Sequence, residues 1–297
     1  MSVTVRVPAK VNVQLAVGAA RPDGFHDLAN VFLAVGLYDE VTVAPADELR
    51  VTCEGPDAAQ VPLDRTNLAA RAALALAERR GVEPAVHIHI AKDIPVAGGM
   101  AGGSADGAGA LLACDTLWGT GASRDELLAL CADLGSDVPF SLVGGAALGV
   151  GRGERLTTLD VGGTFHWVFA MADRGLSTPA VFREFDRLAQ GRDIPEPTAS
   201  PEVLEALAKG DPEALAAVVS NDLQPAALSL FPELADTLDA GRGAGALAAL
   251  VSGSGPTTAF LTRDAESAQK VAAVLRASGR CRSVRTAQGA VAGATVV

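Results

Sequence analysis

Residues 3–17 alternate apolar with polar side chains and are rich in β-branched residues, and the same two-residue period returns at 40–43 and 49–53. Alternation of this kind turns one face of an extended segment toward a core, so the chain is expected to open with strands. The period then changes. Leu68, Ala72, Leu74, Leu76 and Ala77 form the apolar stripe of a helix predicted over 66–80, with Thr66 as its N-cap and Gly81 as its stop. A strand at 86–91 leads through a glycine-dense turn into an apolar helical run at 105–118. After a Gly119-Thr120-Gly121 break comes a helix over 123–134, where Ser123 and Glu126 have the spacing of a capping box.

Glycines at 144, 145, 149, 151 and 153 mark a change of character, and the boundary between two domains, 1–150 and 151–297, is placed there. The second half reads as a strand at 165–171, a helix at 179–188, an acidic, proline-bearing loop at 190–200 and short alanine- and leucine-rich helices up to 240. A strand–loop–strand then carries Val251-Ser-Gly-Ser-Gly-Pro256, followed by a helix at 265–277 and a strand at 282–286. The pattern is α+β in two domains, without internal repeats.

Twenty-four basic against thirty-five acidic side chains leave a formal charge of −11, which argues against nucleic acid or an anionic membrane as partner. An anionic substrate would need local positive groups. Lysine is scarce, with only Lys10, Lys92, Lys209 and Lys270, so a lysine in an apolar setting stands out. Cys53, Cys114, Cys131 and Cys281 have no paired spacing, which argues against a disulfide or zinc framework. The first residues alternate like a strand rather than a signal peptide, and no apolar run of about 18 residues occurs, so a cytoplasmic, soluble protein is expected.

Candidate chemistry centres on residues 94–109, Ile-Pro-Val-Ala-Gly-Gly-Met-Ala-Gly-Gly-Ser-Ala-Asp-Gly-Ala-Gly. Glycines 98, 99, 102 and 103 let the backbone take positive φ and aim successive N–H donors at an anion, and the helix that begins near Ser104 adds unpaired amides and a partial positive charge. The turn reads as a phosphate cradle, although the lysine–hydroxyl pair of a Walker loop is missing. Asp106 is expected to favour the helix N-terminus electrostatically, while Gly107 and Gly109 inside the helix suggest close backbone packing.

Lys10 and Asn12 share one face of the first strand. Such a lysine is ordinarily a solvated edge residue, yet phosphoryl transfer calls for a fixed cation. Asp137, in Leu-Gly-Ser-Asp-Val-Pro-Phe, is ordinarily a cap or turn residue, yet a carboxylate beside a lysine can accept the proton of an attacking hydroxyl. Arg21 to His26 reads as a turn, with an aromatic–histidine exit that offers a stacking platform. His87 and His89 share a strand face without a third metal ligand, and Gly151-Arg152-Gly153 lacks the context of a dinucleotide fingerprint.

Taken together and in order, Pro8-Ala-Lys-Val-Asn12, Pro95 to Ser104 and Val251 to Pro256 resemble the motif set of the GHMP kinases, over nearly the whole chain. That resemblance implies an N-terminal domain of the ribosomal-protein-S5 type, a C-terminal ferredoxin-like domain and an active site in the cleft between them. Pro8 to Asn12, Arg21 to Asp27 and Leu134 to Phe140 further resemble members that act on a diphosphocytidyl substrate. They imply ATP-dependent phosphorylation, with Mg2+, of the 2-hydroxyl of 4-diphosphocytidyl-2-C-methylerythritol in the non-mevalonate route to isoprenoid precursors.

By position, the resemblance makes Asp137 the general base and Lys10 its cation. It assigns Pro95, Val96, Ala97, Gly98, Gly99, Met100, Ala101, Gly102, Gly103 and Ser104 to ATP, with Asn67 on the adenine side. Asn12 and His26 fall to the substrate, and Phe25 and Phe182 to the two sides of a cytosine sandwich. Phe25 stands where tyrosine is common, and Ala105-Asp106 where serine and asparagine are common. Kinases acting on homoserine or a mevalonate derivative, and a non-catalytic nucleotide-binding module, are the alternative readings.

Overall fold

In the computed structural model, which describes residues 2–297, β1 (Val3–Ala20) and β2 (His26–Pro45) form a long antiparallel pair. β3 (Arg50–Glu54) leads to α1 (Leu68–Arg80), β4 (Val86–Ala91), α2 (Gly102–Trp118), α3 (Arg124–Leu134) and α4 (Val138–Val143). The hairpin β5 (Ala146–Gly151) and β6 (Arg155–Leu159) closes the first half, and β7 (Phe165–Met171) opens the second. Next come α5 (Thr178–Ala189), α6 (Pro201–Lys209), α7 (Pro212–Ala216), β8 (Ser220–Asn221), α8 (Gln224–Leu230) and α9 (Glu233–Gly243). β9 (Ala248–Val251), β10 (Thr258–Thr262), α10 (Ala265–Ser278), β11 (Ser283–Gly289) and β12 (Thr295–Val296) complete the chain.

The α+β expectation holds, and the strands join into one sheet with the path β12-β1-β2-β11-β7-β10-β9. β2 serves two neighbours: its first part pairs with β5 and its last part with β4. In the sheet the two halves are joined where β11 pairs with β2, Gly289 with Val35, and where β8 pairs with β1, Gln14 with Ser220, and the last residues return to β1 where Val296 pairs with Val5. The β5–β6 hairpin straddles residue 150, so the first half's sheet continues to Leu159.

β1 is buried on both faces from Val7 to Val13, because α2 lies across one side of it. Register shifts against β2 between Pro8 and Ala9, and again between Asn12 and Gln14, bracket Lys10 and Asn12. Irregularities of this kind re-aim side chains within a ladder.

Helix α2 explains its own glycines. A Cβ on Gly109 would stand 2.8 Å from Val7 Cγ2 and 2.9 Å from Val41 Cγ2, and one on Gly107 3.3 Å from Leu68 Cβ. Bare backbone lets the helix settle onto the β1–β2 pair and α1 at a distance that alanine would not allow.

One local reading changes. The N-cap of α1 is Asn67 rather than Thr66, because Asp64 already accepts from both the amide and the hydroxyl of Thr66 while Asn67 accepts from the Ala69 amide. His87 and His89 both bond the Thr52 hydroxyl, at 2.7 and 2.9 Å. Among the described residues no group of three His, Cys, Asp or Glu side chains is placed to hold a metal, and no helix is long and apolar enough to cross a membrane.

Candidate active site

Between the halves lies a cavity of about 630 Å³, walled by β1, the turn before β2, the phosphate-type loop, the start of α4, α5 and the loop between β9 and β10. Lys10 reaches it from the re-aimed stretch of β1. Its buried ammonium donates to Asn12 Oδ1 at 2.7 Å and to the Gly99 carbonyl at 2.8 Å, and lies 3.6 Å from Asp137 Oδ2. Asn12 passes the network on to Asn30 at 2.6 Å. Burial pushes the Lys10 amine below the usual lysine range, and the Asp137 charge partly restores it.

Asp137 is the N-cap residue of α4, but its side chain caps nothing. Its carboxylate, 30% exposed, is left facing the cavity beside the lysine. Two groups that would each be ordinary alone therefore meet in one place.

The loop adopts an alternating strained conformation, with φ of 52° at Ala97, 75° at Gly99 and 62° at Ala101. Left-handed alanines persist only where surroundings over-determine them. Here the second half does so. The Ser252 hydroxyl donates to the Gly99 carbonyl at 3.1 Å, the Thr257 amide to Gly98 O at 3.3 Å, and Gly175 stands against Ala97. Pro95, Ala97, Gly98, Gly99 and Ala101 to Ser104 line the cavity.

Val96 and Met100 do not line it: the Val96 amide goes to Asp57, and Met100 is buried with its carbonyl accepting from the Lys10 amide. Asn67 is likewise absent from the lining, its side chain taken by Ala69 and the Pro62 carbonyl.

At the other end, Phe25 is 49% exposed with the Arg152 guanidinium 5.4 Å from its ring centroid. His26 is buried, 5.0 Å from the Phe182 ring, and its Nε2 meets Asp186 at 2.8 Å. Phe25, His26 and Phe182 all border the same cavity as Lys10 and Asp137.

Sequence reasoning passed over several residues of this region. Arg152, discounted with its flanking glycines, lines the cavity with Arg183, and the two supply cationic surface in an acidic protein. Ser254 and Thr178, both of the second half, line the cavity and share a hydrogen bond at 2.9 Å. Asp106, expected to serve the helix terminus, is instead buried and paired with Lys92 at 2.9 Å, beside Asp39. A lysine just after an apolar strand was the available signal, since lysine is rarely buried without carboxylates.

Residues 67–145 match the GHMP kinases N terminal domain, and residues 203–281 the GHMP kinases C terminal domain. The chain therefore belongs to the GHMP kinase family and is an ATP-dependent small-molecule kinase. Within that family it is 80% identical to a 4-diphosphocytidyl-2-C-methyl-D-erythritol kinase of Streptomyces avermitilis, with both chains covered in full. Its identity to the enzyme so named from Streptomyces coelicolor is 82%, again over the full length of both, and to that of Thermobifida fusca 60%, covering 100% and 98% of the two chains. A crystal structure of a 4-(cytidine 5'-diphospho)-2C-methyl-D-erythritol kinase superposes with a TM-score of 0.77 at 34% identity, covering 97% of this chain and 99% of the other. Homoserine kinase from Cytophaga hutchinsonii shares the fold at 20% identity and a TM-score of 0.75, over 100% and 97% of the chains.

Proposed function

We propose that this chain transfers the γ-phosphoryl group of ATP to the 2-hydroxyl of 4-diphosphocytidyl-2-C-methyl-D-erythritol, with Asp137 as general base and Lys10 as the cation beside it that steers the alcohol. The observation that carries the roles is the Lys10–Asp137 pair, 3.6 Å apart at a cavity bordered by the glycine loop, to whose Gly99 carbonyl the same ammonium donates. Amides of Gly98 to Ser104 and the N-terminus of α2 would hold the triphosphate, as fixed donors suit charge spread over phosphoryl oxygens. The alcohol oxygen attacks phosphorus in line, its proton passes to Asp137, and ADP leaves. Bound magnesium would neutralise charge on the triphosphate, with the Ser104 hydroxyl in the first turn of α2 available to it.

Phe25 and Phe182 suit a planar base, His26 supplies a polar ring beside it, and Arg152 and Arg183 are the lining cations available to a diphosphate. An aromatic wall of this kind has no purpose for a small amino alcohol or hydroxy acid. The test compares ADP release with the diphosphocytidyl alcohol, homoserine and mevalonate under one set of conditions. Turnover confined to the first is expected; preference for either of the others would replace the substrate assignment.

A further inference from the structure

Three buried ionisable side chains with no part in the phosphoryl transfer meet behind the phosphate loop. Lys92 Nζ donates to Asp39 Oδ2 at 2.5 Å and to Asp106 Oδ2 at 2.9 Å. Asp39 Oδ1 also accepts from the amides of Asp93, at 2.7 Å, and Ile94, at 2.8 Å, where the chain leaves β4. Asp106 belongs to α2, so the cluster ties the strand that enters the loop to the helix that leaves it. A Cβ on Gly102 would stand 3.0 Å from Lys92 Nζ. The ammonium therefore lies against the first residue of α2, behind the backbone that borders the cavity at Gly102, Gly103 and Ser104.

The charges do not balance. Two carboxylates share one ammonium; around them Asp57 is paired with Arg282, Asp93 with Arg285 and Glu54 lies 3.5 Å from His89, while burial pushes the Cys53 thiol of β3 up and so keeps it neutral. A net negative charge buried directly behind a polyanion site would oppose the ligand as well as bear its own desolvation cost. Asp106 is where that charge is least stable, because its Oδ1 is buried without a hydrogen-bond partner. Burial raises its proton affinity, Lys92 opposes the rise and Asp39 reinforces it.

We propose that Asp106 is a positioning residue for the ATP-binding loop that works as a neutral carboxylic acid, fixing Lys92 behind α2 without adding negative charge under the triphosphate. The inference rests on ATP lying against residues 95–104. By linkage, bound ATP and ionised Asp106 disfavour each other equally. ATP affinity is then full while Asp106 is protonated and falls as rising pH ionises it.

The test measures ATP dissociation constants by calorimetry from mildly acidic to mildly alkaline pH, in wild type and in Asp106→Asn. Wild type is expected to lose about tenfold in affinity for each pH unit by which ATP raises the proton affinity of Asp106, and the variant to lose that component because an amide does not ionise. Titration of the triphosphate and of Lys10 is common to both proteins, so the difference between the profiles isolates position 106. A second readout needs no variant. Infrared difference spectra of the wild type should show a carboxylic-acid carbonyl band that vanishes as pH rises, and an ATP analogue should move that loss to higher pH. Coincident affinity profiles, or a band indifferent to the analogue, overturn the proposal while leaving the kinase reading intact. Failure of the wild type to bind ATP at all overturns both.

Discussion

Lys10 and Asp137 come from opposite ends of the first half of the chain, yet their charged groups stand 3.6 Å apart, the lysine buried and the carboxylate open to the cavity. The lysine is held by two hydrogen-bond acceptors, Asn12 and the Gly99 carbonyl, and by the ion pair with Asp137. One ammonium thus ties the base to the backbone of the phosphate loop.

A pH dependence follows. Burial lowers the Lys10 pKa below the ordinary lysine value, and its protonated form is the one that donates to Asn12 and the Gly99 carbonyl and supplies the cation beside the alcohol. Activity is therefore present below the lowered pKa and lost as pH rises through it, on the near side of the usual lysine titration at about 10.4. A kcat–pH profile with an alkaline limb at that lower pH is expected. A kcat that stays level up to the ordinary lysine range would contradict the role of Lys10.

Gly99 combines a φ of 75° with a position where a Cβ would stand 2.0 Å from the Ser252 carbonyl oxygen. Gly99→Ala must displace either the loop or the β9–β10 connection, and it also meets the left-handed penalty of about 1–2 kcal/mol. The KM for ATP is expected to rise by about tenfold or more, a loss of about 1.4 kcal/mol of binding. Steady-state kinetics with ATP as the varied substrate check it.

Gly109 tests packing apart from chemistry. Gly109→Ala gains helix propensity of about 1 kcal/mol but drives a methyl into Val7 and Val41, and overpacking of this kind costs about 1–3 kcal/mol. Urea unfolding should show a net loss of stability. A stabilised variant would mean that α2 can lift off the sheet at no cost.

Phe182 lies against His26 and borders the cavity. Phe182→Leu should raise the KM for the diphosphocytidyl alcohol by roughly an order of magnitude, since base–aromatic stacking is worth about 1–3 kcal/mol, while the KM for ATP stays level. An equal rise in both constants would point to a collapsed cleft instead of a lost base contact.

What sequence could reveal here followed the range of the forces involved. The glycine loop is local chemistry, the strand at 86–91 and the capping box at Ser123 are short-period patterns, and all three are seen in the structure. α4 escaped notice because six residues make too short a period, and β2 because its first part, buried on both faces, does not alternate. The cap at Asn67 depended on what Asp64 had already taken. The Asp39–Lys92–Asp106 cluster was out of reach for another reason. Its members come from β2, the residue just after β4 and α2, and only the folded helix brings Asp106 under the loop it follows.

The single-turnover rate of Asp137→Asn with ATP and 4-diphosphocytidyl-2-C-methyl-D-erythritol tests the central claim most directly. Asparagine keeps the shape of the side chain but cannot take the proton, so phosphoryl transfer should slow by about 10²–10⁴-fold while both substrates still bind. Transfer at the wild-type rate would contradict the account.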